Sequence, residues 1–371
     1  MVESRWFRRA GPGIAAIGAI ALVASTTSGA PPATWLPPAC VGPAHMGPAP
    51  TGAWYRLDAR IVEGVNVGQR LSVGLAGSSS VRSLDLDPES FASGPFDGAV
   101  LAGTDDGAAT RLSLIDVAAG CSWPLGRSTD VVRRATLTPD GSAIIEFRVD
   151  RRSRADLGVW RRRLDAVGAE ERVVPPIQAD KRFGPTWLTE LSWSDDRTLL
   201  AVQSCGEVAC RVRWLDLATR RSGLVADPTL GDLIALTRDR IVAHGSCRGL
   251  PCPIRTIALT GRTARTIVAS AGQAVVVRGD RGAARIVYEG DAEGRTLRSV
   301  ALDGTGDRAI AADRLGRRLI AGPAWAMGHA ELPPGWVVFG PGGRLPVDGP
   351  IGASLRRISD GRTVPFGEVT R

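Results

Sequence analysis

Lysine is almost missing from this chain, with Lys181 the only one among 46 basic residues. Histidine is nearly as scarce, at His45, His244 and His329, and none of the three has a neighbour at the spacing of a metal site. No metal and no cofactor is therefore expected. There is no G-x-S-x-G elbow, which excludes the nucleophile turn of serine hydrolases, and no loop with EF-hand calcium spacing. The longest apolar run, Ile14 to Ala24, is about half the ~20 residues that a spanning helix needs. No later segment holds helical periodicity for three turns, so helical classes are excluded in favour of strands.

Glycine, proline and short alternating runs are abundant instead. Residues 1–30 read as a signal peptide: Arg5, Arg8 and Arg9 precede the apolar run, and Ser28-Gly29-Ala30 offers small residues for cleavage. Residues 31–52 form a leader too rich in proline and glycine for helix or central strand, and residues 53–371 form the folded body. The expected location is secreted or extracytoplasmic, at the cell envelope, with membrane contact only if the N-terminal segment is retained.

Six cysteines form an even set, and oxidation is expected outside the cytoplasm. Cys205/Cys210 and Cys247/Cys252 share one local spacing, so each pair is expected to staple its own hairpin. Cys40 then pairs with Cys121 by elimination. The rival four-thiolate zinc site sits at the edge of the usual spacing and needs a reducing compartment.

The net charge is +8, and removing the first thirty residues leaves +6. That is modest for this size, and the preference for arginine over lysine fits a GC-rich, actinobacterial-type composition. No nucleic-acid partner is expected from charge alone.

A repeated unit organises the body. L-S-L-I-D-V-A-A-G around Asp116 is followed by comparable segments around Asp165, Asp216, Thr260 and Asp303, a period of about 40–50 residues. Four short strands per period is the mark of β-propeller blades. In one unit they are Arg133–Thr138, Ala143–Val149, Leu157–Leu164 and Glu171–Val174; in the next, Leu188–Trp193, Thr198–Ser204, Arg211–Leu217 and Ser222–Val225. The first two strands of each are joined by Thr138-Pro139-Asp140-Gly141 and Ser194-Asp195-Asp196-Arg197. The expected fold is all-β: a single propeller of seven blades, or six as the alternative count, each with four antiparallel strands. The least marked units are the first, Ala53 to about Ala76, and the last, from about Arg318.

The segments L-T-P-D-G-S-A-I-I from Leu137 and L-S-W-S-D-D-R-T-L-L-A-V from Leu191 resemble the WD40-like repeats of TolB-type propellers. The resemblance covers two blades well and the others loosely. It departs from that pattern in Thr138, in the missing proline after Ser194 and in the lack of an N-terminal α/β domain. It implies an exported, non-catalytic propeller that acts through protein contacts.

Function is thus read as a protein-binding or scaffold module at the envelope, not an enzyme, and monomeric. The alternative is a propeller enzyme of glycoside hydrolase or lyase type, with residues converging at the channel mouth. The S-x-D-x-G-x-x-W box of sialidase propellers is absent, and most carboxylates sit in turns such as Asp105-Asp106-Gly107 and Asp360-Gly361. Trp160, Trp193 and Trp214 are expected to pack between blades. Connections between blades share a face with the hairpins joining second and third strands. That rule would gather Arg151, Arg152, Arg154, Lys181, Arg182, Phe183, Trp187 and Arg248 on one recognition face, for an envelope protein or an anionic surface polymer.

Overall fold

The computed structural model describes residues 39–40, 52–75, 81–165, 169–176, 187–194, 196–206, 210–247, 249–278, 283–290, 296–312, 318–320, 329–330, 332, 334–340 and 353–366. These form seven sheets of four strands, the seven-bladed propeller expected from the repeats. Among them no helix is long and apolar enough to cross a membrane.

Blade 1 contains β1 (Ala53–Val62), β2 (Val65–Leu75) and β3 (Val81–Leu86). Blade 2 contains β4 (Phe91–Phe96), β5 (Ala99–Asp105), β6 (Thr110–Asp116) and β7 (Cys121–Ser128). Blade 3 contains β8 (Val131–Leu137), β9 (Ala143–Val149), β10 (Asp156–Arg163) and β11 (Glu170–Val174). Blade 4 contains β12 (Trp187–Trp193), β13 (Leu199–Cys205), β14 (Cys210–Asp216) and β15 (Ser222–Val225). Blade 5 contains β16 (Leu230–Leu236), β17 (Arg240–Gly245), β18 (Cys252–Ala258) and β19 (Arg265–Ala271). Blade 6 contains β20 (Ala274–Arg278), β21 (Ala284–Glu289), β22 (Thr296–Ala301) and β23 (Arg308–Ala312). The last blade holds β24 (Arg318–Leu319), β26 (Trp336–Gly340), β27 (Ser354–Arg357) and β28 (Thr363–Pro365), while β25 (His329–Ala330) leaves it to join blade 1.

Blades 2 to 6 are antiparallel meanders, innermost strand first. Blade 1 begins instead with its second strand. Its innermost position is filled by β25, paired antiparallel to β1 as Tyr55↔His329 and Trp54↔Ala330. The first blade also runs on to Leu86, beyond the Ala76 expected from sequence, because its hairpin is built from two long strands of 10 and 11 residues.

Second strands read as nearly continuous apolar runs because a neighbouring blade covers each face. Every residue of Ala143-Ile-Ile-Glu-Phe-Arg-Val149 and of Leu199-Leu-Ala-Val-Gln-Ser-Cys205 is buried. Packing between blades follows: Tyr55, Leu71 and Val73 meet Val100, Ala102 and Ile115, and Ile145 and Phe147 meet Leu200 and Val202. Trp193 packs into the second of these clusters and donates its Nε1–H to the Leu137 carbonyl of blade 3 at 2.7 Å. Trp214 packs against the blade 5 core. Trp160 lies within its own blade, between the guanidinium carbons of Arg148 and Arg172 at 5.3 and 5.9 Å from its ring centre.

The two repeat turns use one device. Thr138 Oγ1 donates to Asp140 at 2.6 Å and accepts the Ala143 amide at 2.9 Å; Ser194 Oγ donates to Asp196 at 2.7 Å and accepts the Leu199 amide at 2.9 Å. Threonine therefore does the work of serine. The residue closing the turn has positive φ in both, +67° at Gly141 and 60° at Arg197.

Candidate functional site

Antiparallel order puts every hairpin between second and third strands on one face of the propeller, with the connections from one blade to the next. Of the sequence-predicted residues, Arg151, Arg152 and Arg154 lie on this hairpin face, in the β9–β10 hairpin. Arg151 and Arg154 are both already engaged. Arg151 forms a two-pronged ion pair with Asp105 of blade 2, at 2.7 and 2.8 Å, and Arg154 does the same with Glu89, at 3.0 Å twice. Glu89 also lies 3.5 Å from Arg133 on the innermost strand of blade 3. Burial pushes the Asp105 carboxyl up, but hydrogen bonds from Arg151, Thr110 and the Gly107 amide outweigh it and hold the pKa below its usual range. The hairpin thus ties blade 3 to its neighbour. Arg152 is exposed.

Trp187 starts β12, at the end of the connection between blades 3 and 4. Lys181, Arg182, Phe183 and Arg248 lie outside the described residues, as does His45. The three expected disulfides are present: Cys205–Cys210 and Cys247–Cys252 in their hairpins, and Cys40–Cys121, which ties the leader to β7. Beside the last, the Cys40 amide donates to the Ser122 carbonyl at 3.0 Å. Asp232 lies within 4.8 Å of the Cys205 and Cys210 sulfurs, but sulfurs bonded to each other have no thiolate to offer a cation.

Three further features of the structure were not anticipated. The first is the tip of the β1–β2 hairpin, where Ile61, Val62, Val65 and Val67 are 46–66% exposed. Single exposed apolar residues are ordinary, but four on one tip form a patch. Its signal was legible as Ile61-Val-Glu-Gly-Val-Asn-Val67, apolar residues on both sides of a Glu63-Gly64 turn.

The second is a half-open cleft of about 240 Å³ between blades 3 and 4 on the same face, with Pro175, Pro176, Val202, Arg211, Arg213 and Leu224 in its lining. A second cleft of about 270 Å³, lined by Arg161, Arg163, Glu170, Glu171 and Arg220, sits at the turns joining third and fourth strands on the opposite face. Its charges are mixed.

The third lies at the axis. Tyr55 of blade 1, Arg134 of blade 3 and Glu190 of blade 4 interact electrostatically, and groups from blades that are not neighbours can meet only around the central channel. Tyr55 is wholly buried and Glu190 nearly so. Burial, then the Glu190 charge, pushes the Tyr55 phenol up against the smaller opposing pull of Arg134, so it stays protonated. Burial lowers Arg134, partly offset by Glu190 and then Tyr55. Its Nε–H has no acceptor among the described residues, while Nη1 donates to the Arg133 carbonyl at 3.0 Å. No spacing in the sequence joins residues 55, 134 and 190.

No family model matches this chain, and no curated protein matches it in sequence. Solved structures do. A prolyl endopeptidase is 15% identical, aligned over 86% of this chain and 49% of its own, with a TM-score of 0.52. An oligogalacturonate lyase in complex with manganese is 13% identical over 85% of each chain, at a TM-score of 0.49. TolB from Acinetobacter baumannii is 13% identical over 83% of this chain and 78% of its own, at 0.40. Identity this low speaks for the fold alone, and the chain spans about half the length of the peptidase it matches.

Proposed function

We propose that the chain is an exported, non-catalytic propeller that binds a protein partner of the cell envelope on its hairpin face. The observation that carries this reading is the β1–β2 hairpin, which holds Ile61, Val62, Val65 and Val67 in solvent. Apolar surface of this kind, on a rigid scaffold and rimmed by polar hairpins, is what a protein interface buries. The ion pairs of Arg151 and Arg154 favour a protein over an anionic polymer, since both guanidiniums already hold carboxylates. Three disulfides favour an oxidising compartment, and hence export.

The test is crosslinking and pull-down from a native envelope fraction, comparing the unaltered chain with an Ile61→Asn/Val65→Asn variant. Loss of a captured protein in the variant, with melting unchanged, is the expected result. Equal capture by both chains overturns the reading. Catalysis in the channel is the second reading, favoured by the Tyr55, Arg134 and Glu190 cluster. Turnover of an oligosaccharide or peptide that is abolished by Glu190→Gln would establish it instead.

A further inference from the structure

The cleft between blades 3 and 4 has a chemical character of its own. One wall is Pro175-Pro176, directly after β11, and the other is the face of blade 4. On that face Val202, Arg213 and Leu224 form one row across β13, β14 and β15, with Arg213 paired to each neighbour. Arg211 stands two residues away on β14 and so projects from the same side of the sheet. The prolines have no N–H to offer, and Val202 and Leu224 are apolar. The result is a slot with largely apolar walls, into which the Ser204 side chain and the guanidinium groups of Arg211 and Arg213 are set.

No aspartate or glutamate is among the described residues that line the cleft. No hydrogen bond or ion pair occupies Arg213 among the described residues, in contrast to Arg148, Arg151, Arg154 and Arg162, which all hold carboxylates. A cleft lined by charge of one sign concentrates field lines and draws in the opposite sign. The apolar walls then set a second requirement, because a bare hydrated anion would leave them wet.

We infer that this cleft is a binding site for an apolar monocarboxylate, a small acid or chain end whose ring or branched side chain fills the slot while its carboxylate meets the fork of Arg213. The guanidinium edge matches a carboxylate in two parallel hydrogen bonds. The size agrees: a dry cavity of about 150 Å³ accepts benzene, and this cleft, at about 240 Å³, adds room for the carboxylate. The site is independent of the hairpin tip and stands whether or not a protein docks there.

The experiment is calorimetric titration of the full chain with phenylacetate at low salt. Saturable binding is expected, weakened about tenfold or more in Arg213→Met through loss of the charge-assisted pair. It should be unchanged in Arg238→Met, an exposed arginine at a turn on the opposite face. Phenylacetamide, which keeps the ring and loses the charge, should bind at least tenfold more weakly to the unaltered chain. That comparison stands even if Arg213→Met fails to fold. N-Acetylphenylalanine separates the two sources: tighter binding than phenylacetate assigns the site to a chain end, weaker binding to a free acid, and both uphold it. Phenylacetamide as tight as phenylacetate, a folded Arg213→Met variant that binds normally, inorganic phosphate tighter than phenylacetate, or no saturable binding would each overturn the inference.

Discussion

Replacing Glu146 by glutamine removes a charge from the middle of blade 3 while keeping the side chain's volume. Glu146 is fully buried and accepts from Arg148 Nε at 2.7 Å and from Arg162 Nε at 2.8 Å. Arg148 would survive the change, because Glu170 grips it at 2.7 and 2.8 Å. Arg162 would not: Glu170 is 3.9 Å away, and its remaining close partner is the Leu125 carbonyl of blade 2 at 2.7 Å. One guanidinium is thus left buried without a close counter-charge, which places the cost at the low end of the range for breaking a buried pair, about 3 kcal/mol. Unfolding entropy of about 2.1 cal/mol/K per residue gives ~0.8 kcal/mol/K for a chain of 371 residues, so the melting midpoint should fall by roughly 4 °C. Circular dichroism melts would show this directly. Glu170→Gln is the comparison, since Glu170 is 32% exposed and water can replace part of what it gives; it should cost about 1 kcal/mol, or roughly 1 °C. Equal falls in the two variants, or a Glu146→Gln midpoint within about 1 °C of the unaltered chain, would refute the account of the network.

Three further outcomes are expected. Burial holds the His244 imidazole below its ordinary pKa, against a weaker upward pull from Asp232. The unfolded chain therefore takes up a proton near pH ~6.5 that the folded chain refuses; the stabilisation is complete above that pH and is lost as pH falls towards the folded pKa. Urea midpoints between neutral pH and about pH 5 should decline less in His244→Asn, and an unchanged slope would exclude His244 as the source. Replacing Cys40 and Cys121 by serine opens a loop of 81 residues and should cost about 4.5 kcal/mol in the chain-entropy account, against about 2 for the five-residue Cys205–Cys210 loop; reversed costs in denaturant titrations would contradict it. Arg197→Gly should leave stability unchanged or raise it by up to about 1 kcal/mol, since Gly141 serves the matching turn and the ion pair lost, to Asp97 at 3.8 Å, is exposed. A lowered melting midpoint would show that pair to matter.

Blades 3 and 4 were legible almost residue by residue, because their strands are short runs bounded by turn residues and their Thr138 and Ser194 turns carry hydroxyl and carboxylate at fixed offsets. The Cys205–Cys210 and Cys247–Cys252 disulfides were legible for a similar reason, since their spacing is a local property, and Cys40–Cys121 followed only by elimination. Arg151 and Arg154 were placed on the correct hairpin, but their partners Asp105 and Glu89 lie 46 and 65 residues away, so their engagement could not be read from the chain. Arg211-Val-Arg213 was readable as two side chains on one face, whereas the Pro175-Pro176 wall opposite belongs to another blade. Tyr55, Arg134 and Glu190 left no trace in any local pattern. Side chains that meet across the ring are brought together by closure, and two-residue β25 has too few positions to show alternation.

That short strand has a consequence in time. β1 needs β25 beside it to pair its inner edge at Trp54 and Tyr55, yet 274 residues separate Tyr55 from its partner His329. At a synthesis rate of roughly 5–20 residues per second, the first blade to be made waits between about 14 and 55 s for its innermost strand. Throughout that interval its inner edge is open to pairing with any extended chain nearby. The ring is sealed late, by a segment borrowed from the last blade, so the blade that begins the propeller is among the last parts of it to be finished.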